Sequence, residues 1–160
     1  MRKLHIAALA LLAGLALTPF AQAADTPSPS PSPTPKPKDP DLEAGRKAVE
    51  AQNWKVAIAD FDRAAARDPK NADAQNLLGY SWRKSGNLDL AFKYYNEALR
   101  LDPTHRGAHE YIGEAYLMVN NLPKAEEHLT QLNKLCFLPC AEYTELKKAV
   151  EKYKNKTAAK

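Results

Sequence analysis

The stretch that decides the fold is ADAQNLLGYSWRKSGNLDLAFKYYNEALRLDP, residues 72–103. Apolar side chains recur in it at intervals of three and four residues, first around Leu78 and Trp82 and then in a second run. Between the two runs lies a break at residues 85–87, in which Asn87 is suited to cap a following helix. The stretch therefore predicts a pair of antiparallel helices joined by a short turn.

The same pattern returns every 34 residues on both sides of this stretch. Gly45, Gly79 and Gly113 share that spacing, and they are half of the six glycines. Further positions in the same phase match in size or polarity: Ala57, Ala91 and Ala125; Asn53, Asn87 and Asn121; Trp54, Leu88 and Leu122; Phe61, Tyr95 and Leu129. A fixed period of this length indicates a repeat array. Glycine and alanine at the fixed positions allow the paired helices to approach closely.

These residues resemble the tetratricopeptide repeat (TPR) family. In the second unit the family's characteristic positions hold Leu78, Gly79, Trp82, Ala91, Tyr95, Ala98 and Pro103. The third unit departs from the pattern, because Leu132 stands where the family has a small residue and Phe137 where it has proline. The resemblance spans residues 38–139. It implies an all-α fold, an α-solenoid of three helix-turn-helix repeats at about 38–71, 72–105 and 106–139.

A single amphipathic helix is predicted after the third unit. Tyr143, Leu146, Val150 and Tyr153 fall on one face of this segment, and a terminal helix with a charged outer face suits the cap that a repeat array needs. The predicted boundaries are a folded domain over 41–154, a cap helix over 140–154 and a lysine-rich tail over 155–160. The basic tail is a candidate for weak contact with anionic surfaces.

The first 40 residues predict two segments that precede the fold. Residues 1–23 combine a basic start, a short apolar run and small residues before a cleavage point, which is the pattern of a secretory signal peptide. Residues 24–40 are predicted to be a disordered proline-rich spacer, because alternate prolines prevent helix and sheet. A recognition ligand for an aromatic groove is the alternative interpretation. We therefore expect a periplasmic or secreted protein with no transmembrane segment after signal cleavage.

The charge of the chain argues against a nucleic-acid partner. The chain has 23 Lys and Arg residues against 19 Asp and Glu, a formal charge of +4. Arg2 and Lys3 belong to the predicted signal peptide, and residues 147–160 hold six lysines, so the rest of the mature chain is slightly acidic. A nucleic-acid binder would instead carry clustered Lys and Arg along one face.

Cys136 and Cys140 are the two cysteines of the chain, in the sequence CFLPC. In an exported protein a disulfide between them is the default expectation, and it would fix the angle of the cap helix. A redox-active pair and a soft-metal site are the alternatives, and His128 is the nearby histidine for a metal. These alternatives define a second hypothesis, a metal- or redox-linked periplasmic accessory factor.

The sequence carries no motif for catalysis or for cofactor binding. A haem-attachment motif, a phosphate loop and a nucleophile elbow are all missing from it. His105 and His109 have the i, i+4 spacing of metal ligands on a helix, but His105 falls in a turn between units, which favours ordinary structural roles. We therefore expect no catalytic residue, no metal, no cofactor and no enzymatic activity.

The TPR resemblance implies that function lies on a surface. In TPR arrays the first helix of each repeat lines a concave groove, which binds a protein or peptide partner. The groove positions of this chain hold Arg46, Asn76, Tyr80, Arg83, Lys84, Glu110, Glu114, Leu117 and Met118. The groove should run from basic to acidic, and it should bind an extended or helical peptide weakly and in a salt-sensitive manner. The resemblance thus implies a protein-binding scaffold or adaptor.

Overall fold

The structure, a computed structural model, describes residues 39–159, and every regular element in that range is an α-helix. The predicted signal peptide at 1–23 and the predicted spacer up to residue 38 lie outside the described residues. The helices are α1 (Pro40–Glu50), α2 (Trp54–Arg67), α3 (Ala72–Lys84), α4 (Leu88–Leu101), α5 (Arg106–Met118), α6 (Leu122–Leu135) and α7 (Ala141–Ala158). They form three successive pairs, and α7 packs on the last pair. The predicted all-α solenoid of three repeats with a terminal cap helix is confirmed.

The first helix begins inside the predicted spacer, so the expected end of the spacer at residue 40 is corrected. Asp39 caps α1 by accepting hydrogen bonds from the N–H groups of Asp41 and Leu42 at 2.9 and 3.1 Å. Arg67 of α2 pairs with both Asp39 and Asp41. Pro40 fits the first helical position because the N–H that proline lacks would have no partner there.

The turn inside each helix pair repeats with the same period as the sequence. One residue of each turn has a positive φ, which is 55° at Gln52, 93° at Gly86 and 58° at Asn120. The next residue is an asparagine that caps the second helix, as Asn87 does by accepting a hydrogen bond from the Leu90 N–H at 3.1 Å. The asparagines of the other two turns cap α2 and α6 in the same way. The cap predicted at Asn87 is confirmed.

The glycines in repeat phase admit an aromatic ring against the backbone of the neighbouring helix. A Cβ atom on Gly45 would lie 2.4 Å from the Phe61 ring, and a Cβ atom on Gly79 would lie 2.5 Å from the Tyr95 ring. Both rings are fully buried and come from the second helix of the same pair. The fixed glycines therefore set how closely the two helices of a pair approach.

The third glycine of the series shows how the cap helix is held. A Cβ atom on Gly113 would lie 2.6 Å from Leu146 of α7. Leu129 stands at the position that Phe61 and Tyr95 occupy in the earlier repeats, and its side chain is shorter than theirs. The space beside Gly113 is filled by Leu146 instead. Leu146 and Val150 of α7 are buried in one cluster with Leu132, the residue that departs from the family pattern.

The cap helix is longer than predicted and is joined to α6 by a disulfide. α7 continues to Ala158, so four residues of the predicted tail at 155–160 are helical. Neither proline nor glycine occurs between residues 141 and 159 to end the helix earlier. Cys136 and Cys140 form a disulfide that closes the loop between α6 and α7. Within residues 39–159 no helix is both long enough and apolar enough to cross a membrane.

Candidate functional site

Three aromatic rings lie side by side on the face formed by α1, α3, α5 and the start of α2. The ring centroids of Trp54 and Tyr80 are 6.2 Å apart, and those of Tyr80 and Tyr111 are 5.0 Å apart. Two adjoining cavities of about 390 and 270 Å³ are lined by these rings together with Val49 and Leu77. We call these five residues the aromatic surface.

Two cations border the aromatic surface. Lys84 Nζ lies 5.7 Å from the centroid of the Trp54 ring and 6.0 Å from that of the Tyr80 ring, within the range of cation–π attraction. Arg46 lines the smaller cavity from the side of α1. Neither cation forms an ion pair with any residue between 39 and 159. The structure therefore brings three predicted groove residues together, Arg46, Tyr80 and Lys84.

The sequence predicts Arg83 at the basic end of the groove and Glu114 at its acidic end. In the structure these two side chains form an ion pair with each other. Arg83 Nη1 lies 2.7 Å from Glu114 Oε2, and Arg83 Nε donates a hydrogen bond to the Tyr95 hydroxyl at 3.1 Å. The Arg83 side chain is only 10% exposed, and its guanidinium lies 5.5 Å from the ring centroids of Tyr80 and Tyr111. Arg83 thus supports the aromatic surface from beneath, because its charge is already paired. The basic end of the surface consists of Arg46 and Lys84.

Two acidic side chains on this face, Glu50 and Glu110, have no ion pair within residues 39–159, and Glu50 lines both cavities. Burial on α5, together with the nearby carboxylates of Glu114 and Glu142, raises the pKa of Glu110 to about 7. Burial and the Glu110 carboxylate also raise the pKa of the neighbouring Tyr111 to about 12. The predicted acidic end is therefore a single carboxyl group that is partly protonated near neutral pH.

Asn76 lies beneath the surface and is not a free groove residue. Its side chain is buried, and its Oδ1 atom has no hydrogen-bond partner within residues 39–159. A Cβ atom on Gly107 of α5 would lie 3.2 Å from Asn76 Nδ2. The amide is therefore packed between α3 and α5.

The two apolar groove residues, Leu117 and Met118, lie in a different place. They line a cleft between the C-terminal parts of α5 and α7, together with Tyr153 and two lysines. This cleft has no residue in common with the two cavities of the aromatic surface. The structure thus divides the predicted groove residues between two sites.

Trp54, Leu77 and Tyr111 belong to the aromatic surface, although the sequence analysis did not place them in the groove. Trp54 carried a signal, since leucine stands at its phase in the other two repeats. Trp54 begins α2, the second helix of its pair. The family's groove positions are in the first helix of each pair, so they do not include Trp54. Tyr111 and Leu77 are in first helices but not at those groove positions.

The histidines at positions 105, 109 and 128 form structural contacts. His105 caps α5 by accepting the Ala108 N–H at 3.1 Å through Nδ1, and its Nε2 lies 3.0 Å from Asp73 Oδ1. His109 Nε2 lies 3.0 Å from the Pro103 carbonyl, and its Nδ1 lies 2.9 Å from His128 Nδ1. Since a carbonyl can only accept, His109 donates from Nε2 to Pro103, and one of the two Nδ1 atoms donates to the other.

Burial and the adjacent His109 lower the pKa of His128 to about 4. His128 is therefore neutral at physiological pH, and its hydrogen bond with His109 joins α5 to α6. Between residues 39 and 159 no group of three or more His, Cys, Asp or Glu side chains is arranged to hold a metal ion. Cys136 and Cys140 are both engaged in the disulfide.

A protein-family model and a curated protein, both named for tetratricopeptide repeats, match this chain. The family model described as tetratricopeptide repeat matches residues 42–106. The TPR repeat-containing thioredoxin TTL4 of Arabidopsis thaliana is 31% identical over 87 residues, which are 54% of this chain and 13% of that protein. The chain therefore spans only a small part of the length of this relative.

Solved structures show the same fold. The translocator chaperone SycD of Yersinia enterocolitica superimposes with a TM-score of 0.65 at 19% identity, over 74% of this chain and 83% of that chain. The first TPR of Spaghetti (RPAP3), bound to the HSP90 peptide SRMEEVD, superimposes with a TM-score of 0.64 at 19% identity, over 74% and 90%. With the 34-residue phase and the family match over residues 42–106, they show that the helical domain of this chain has the tetratricopeptide repeat fold.

Proposed function

We propose that this protein is an adaptor that binds a peptide segment of a protein partner on its aromatic surface. The observation that carries the proposal is the row of Trp54, Tyr80 and Tyr111 rings, bordered by the unpaired cations Arg46 and Lys84. Tyrosine and tryptophan are enriched where binding energy is concentrated, because they bury a large area at a small entropic cost. The role includes no catalytic step.

The chemistry of the partner follows from the border of the aromatic surface. Arg46 and Lys84 form no ion pair within residues 39–159, although Glu50 lines both cavities with them and Asp73 lies within electrostatic reach of Arg46. An acidic segment with an apolar anchor complements these two cations. Two structural neighbours support peptide binding by this fold, since SycD has been solved with a peptide of the translocator YopD and the RPAP3 domain with an HSP90 peptide. Their identity to this chain is 19%, so the chemistry of binding is argued from the residues of this chain.

Charge reversal tests the aromatic surface directly. The variant Arg46→Glu with Lys84→Glu should lose about tenfold in partner capture from an envelope extract, since it replaces two attractive charges by two repulsive ones. The matched control is Lys47→Glu with Lys70→Glu, which changes the charge equally at exposed positions that line neither cavity. Equal capture by the two variants would place the binding surface elsewhere.

We also propose that the protein acts in the periplasm or outside the cell. The signal-like pattern of residues 1–23 supports this, and so does the Cys136–Cys140 disulfide, since disulfides persist in oxidising compartments. Cell fractionation followed by N-terminal sequencing tests the proposal. The expected result is a periplasmic chain that begins at Ala24, and a cytoplasmic chain that retains Met1 would contradict it.

The second hypothesis, a metal- or redox-linked accessory factor, depends on the state of the cysteine pair. Thiol titration of the exported protein with and without reductant distinguishes the two roles. An adaptor with a structural disulfide should show two thiols only after reduction and denaturation. Ready reduction of the native protein by a mild thiol would favour the redox role.

A further inference from the structure

A second candidate binding site lies between the C-terminal parts of α5 and α7. It is a cleft of about 250 Å³ lined by Leu117, Met118, Ala149, Lys152, Tyr153 and Lys156. None of these residues belongs to the aromatic surface. An inference about this cleft therefore goes beyond the proposed function and does not depend on it.

The walls of the cleft are apolar, and part of them is fixed. Leu117 packs against the cluster that contains the buried Leu146 and Val150. The Tyr153 hydroxyl donates a hydrogen bond to Asn120 Oδ1 at 3.2 Å, which holds its ring in place at the edge of the cleft. Met118 is 53% exposed, and the flexible thioether side chain of methionine adapts to apolar groups of different shape. The cleft thus offers one rigid and one adaptable wall.

Two lysines at the cleft lack carboxylate partners, unlike Lys148 and Lys154 of the same helix; Lys147, which lies outside the cleft, is also unpaired. Lys148 Nζ lies 2.8 Å from Glu145, and Lys154 Nζ lies 2.5 Å from Glu126. Lys152 and Lys156 form no ion pair with residues 39–159, and both line the cleft. Because they are four residues apart on α7, their ammonium groups lie on the same side of the helix, one turn apart.

We propose that this cleft binds an acidic, amphipathic peptide segment of a protein partner. One aliphatic or aromatic side chain of the segment enters between Leu117, Met118 and Tyr153, and carboxylates on either side of it pair with Lys152 and Lys156. The charge complementarity decides the class of occupant, because an apolar anchor between two acids matches an apolar cleft that carries two unpaired ammonium groups.

The test is an NMR titration of the full ¹⁵N-labelled chain with a synthetic peptide, acetyl-Gly-Glu-Glu-Leu-Glu-Glu-Gly-amide. We expect shifts of the Met118, Ala149 and Tyr153 amides, and we expect affinity to fall about tenfold in Lys152→Glu with Lys156→Glu. Lys147→Glu with Lys148→Glu is the matched control, with the same change of charge on the same helix outside the cleft. It should bind the peptide like the parent, and a peptide with serine in place of leucine should bind more weakly.

Several results would overturn the proposal. They are no shift at millimolar peptide, equal losses in the two double variants, or cleft shifts that appear only with phosphatidylglycerol bicelles, which would assign the cleft to a membrane. Shifts confined to Trp54, Tyr80 and Tyr111 would overturn this proposal while supporting the proposed function. Shifts confined to the cleft would support this proposal and count against the aromatic surface. The failures of the two proposals are thus distinguishable.

Discussion

At the scale of single residues, the three turns provide a direct comparison of backbone strain. Gln52, Gly86 and Asn120 share one turn position with φ of 55°, 93° and 58°. A side chain in this left-handed region costs about 1 kcal/mol, and glycine avoids that cost. We predict that Gln52→Gly stabilises the protein by about 1 kcal/mol, measured by urea unfolding.

Gly86→Ala is the matched control for this prediction. A Cβ atom on Gly86 would meet nothing within 4 Å, so its effect reports the backbone alone. We expect a loss of about 1 kcal/mol in the free energy of unfolding. A lower urea midpoint for Gln52→Gly than for the parent would contradict the explanation.

Gly79 tests the contact between helices that the repeat phase predicts. Gly79→Ala gains about 1 kcal/mol of helix propensity, but its Cβ atom would lie 2.5 Å from the fully buried Tyr95 ring. Overpacking of this kind costs about 1–3 kcal/mol, so we predict a net loss of about 1 kcal/mol in the free energy of unfolding.

Gly113→Ala is the comparison for that variant. Its Cβ atom would meet the branched end of Leu146, which can move more easily than a buried ring. The loss should therefore be smaller than for Gly79→Ala, as measured by denaturant unfolding. A larger loss at Gly113 would refute the ranking.

Glu110 gives a pH dependence whose sign is fixed. Its pKa in the folded protein is raised to about 7 from the ordinary 4.5, so the folded state binds more protons than the unfolded state between these values. The stability contributed by protonated Glu110 is therefore present below pH 4.5 and is lost as the pH rises through 7. We predict that Glu110→Gln stabilises the protein at pH 8 and has a much smaller effect at pH 4.5.

The measurement is urea unfolding of parent and variant at both pH values. Comparing the two proteins removes the opposite contribution of His128, whose pKa is lowered to about 4 and which therefore destabilises the fold as the pH falls. A stability difference between parent and Glu110→Gln that is the same at both pH values would contradict the burial of this carboxyl group.

At the scale of helices, the sequence predicts the pairs well because each is encoded locally. Apolar spacing predicts both helices of a pair, and Asn87 predicts the start of α4. The ends of the array were predicted less well. Asp39 and Pro40 act together to begin α1 inside a proline-rich run. The position of α7 depends on Leu146 filling the place beside Gly113, a contact between elements that no local pattern contains.

The disulfide between α6 and α7 acts at the same scale. Joining Cys136 to Cys140 closes a loop of five residues, which stabilises the folded state by about 2 kcal/mol in the chain-entropy account. We predict that Cys136→Ser with Cys140→Ser lowers the free energy of unfolding by about that amount. Reductant should destabilise the parent equally and leave the variant unchanged. An unchanged midpoint of the reduced parent would show that the loop is ordered without its bridge.

At the scale of the whole molecule, the repeat phase predicts the fold because each repeat contacts mainly its neighbours. The candidate site could be predicted only in part. Trp54, Tyr80 and Tyr111 come from three different helices, and their rings meet only when the repeats stack. Arg83 and Glu114 also belong to successive repeats, and their ion pair forms only when the repeats stack. The sequence therefore predicts two free charges in the groove where the structure has a neutral pair.

The central claim is that the partner is held on the aromatic surface, and photo-crosslinking in intact cells tests it most directly. A photoreactive benzoylphenylalanine replaces Lys84, beside Trp54 and Tyr80, or Lys93, an exposed residue of α4 that lines neither cavity. The account predicts a covalent adduct with a partner from position 84 and none from position 93. Adducts from position 93 alone, or equal adducts from both positions, would contradict it.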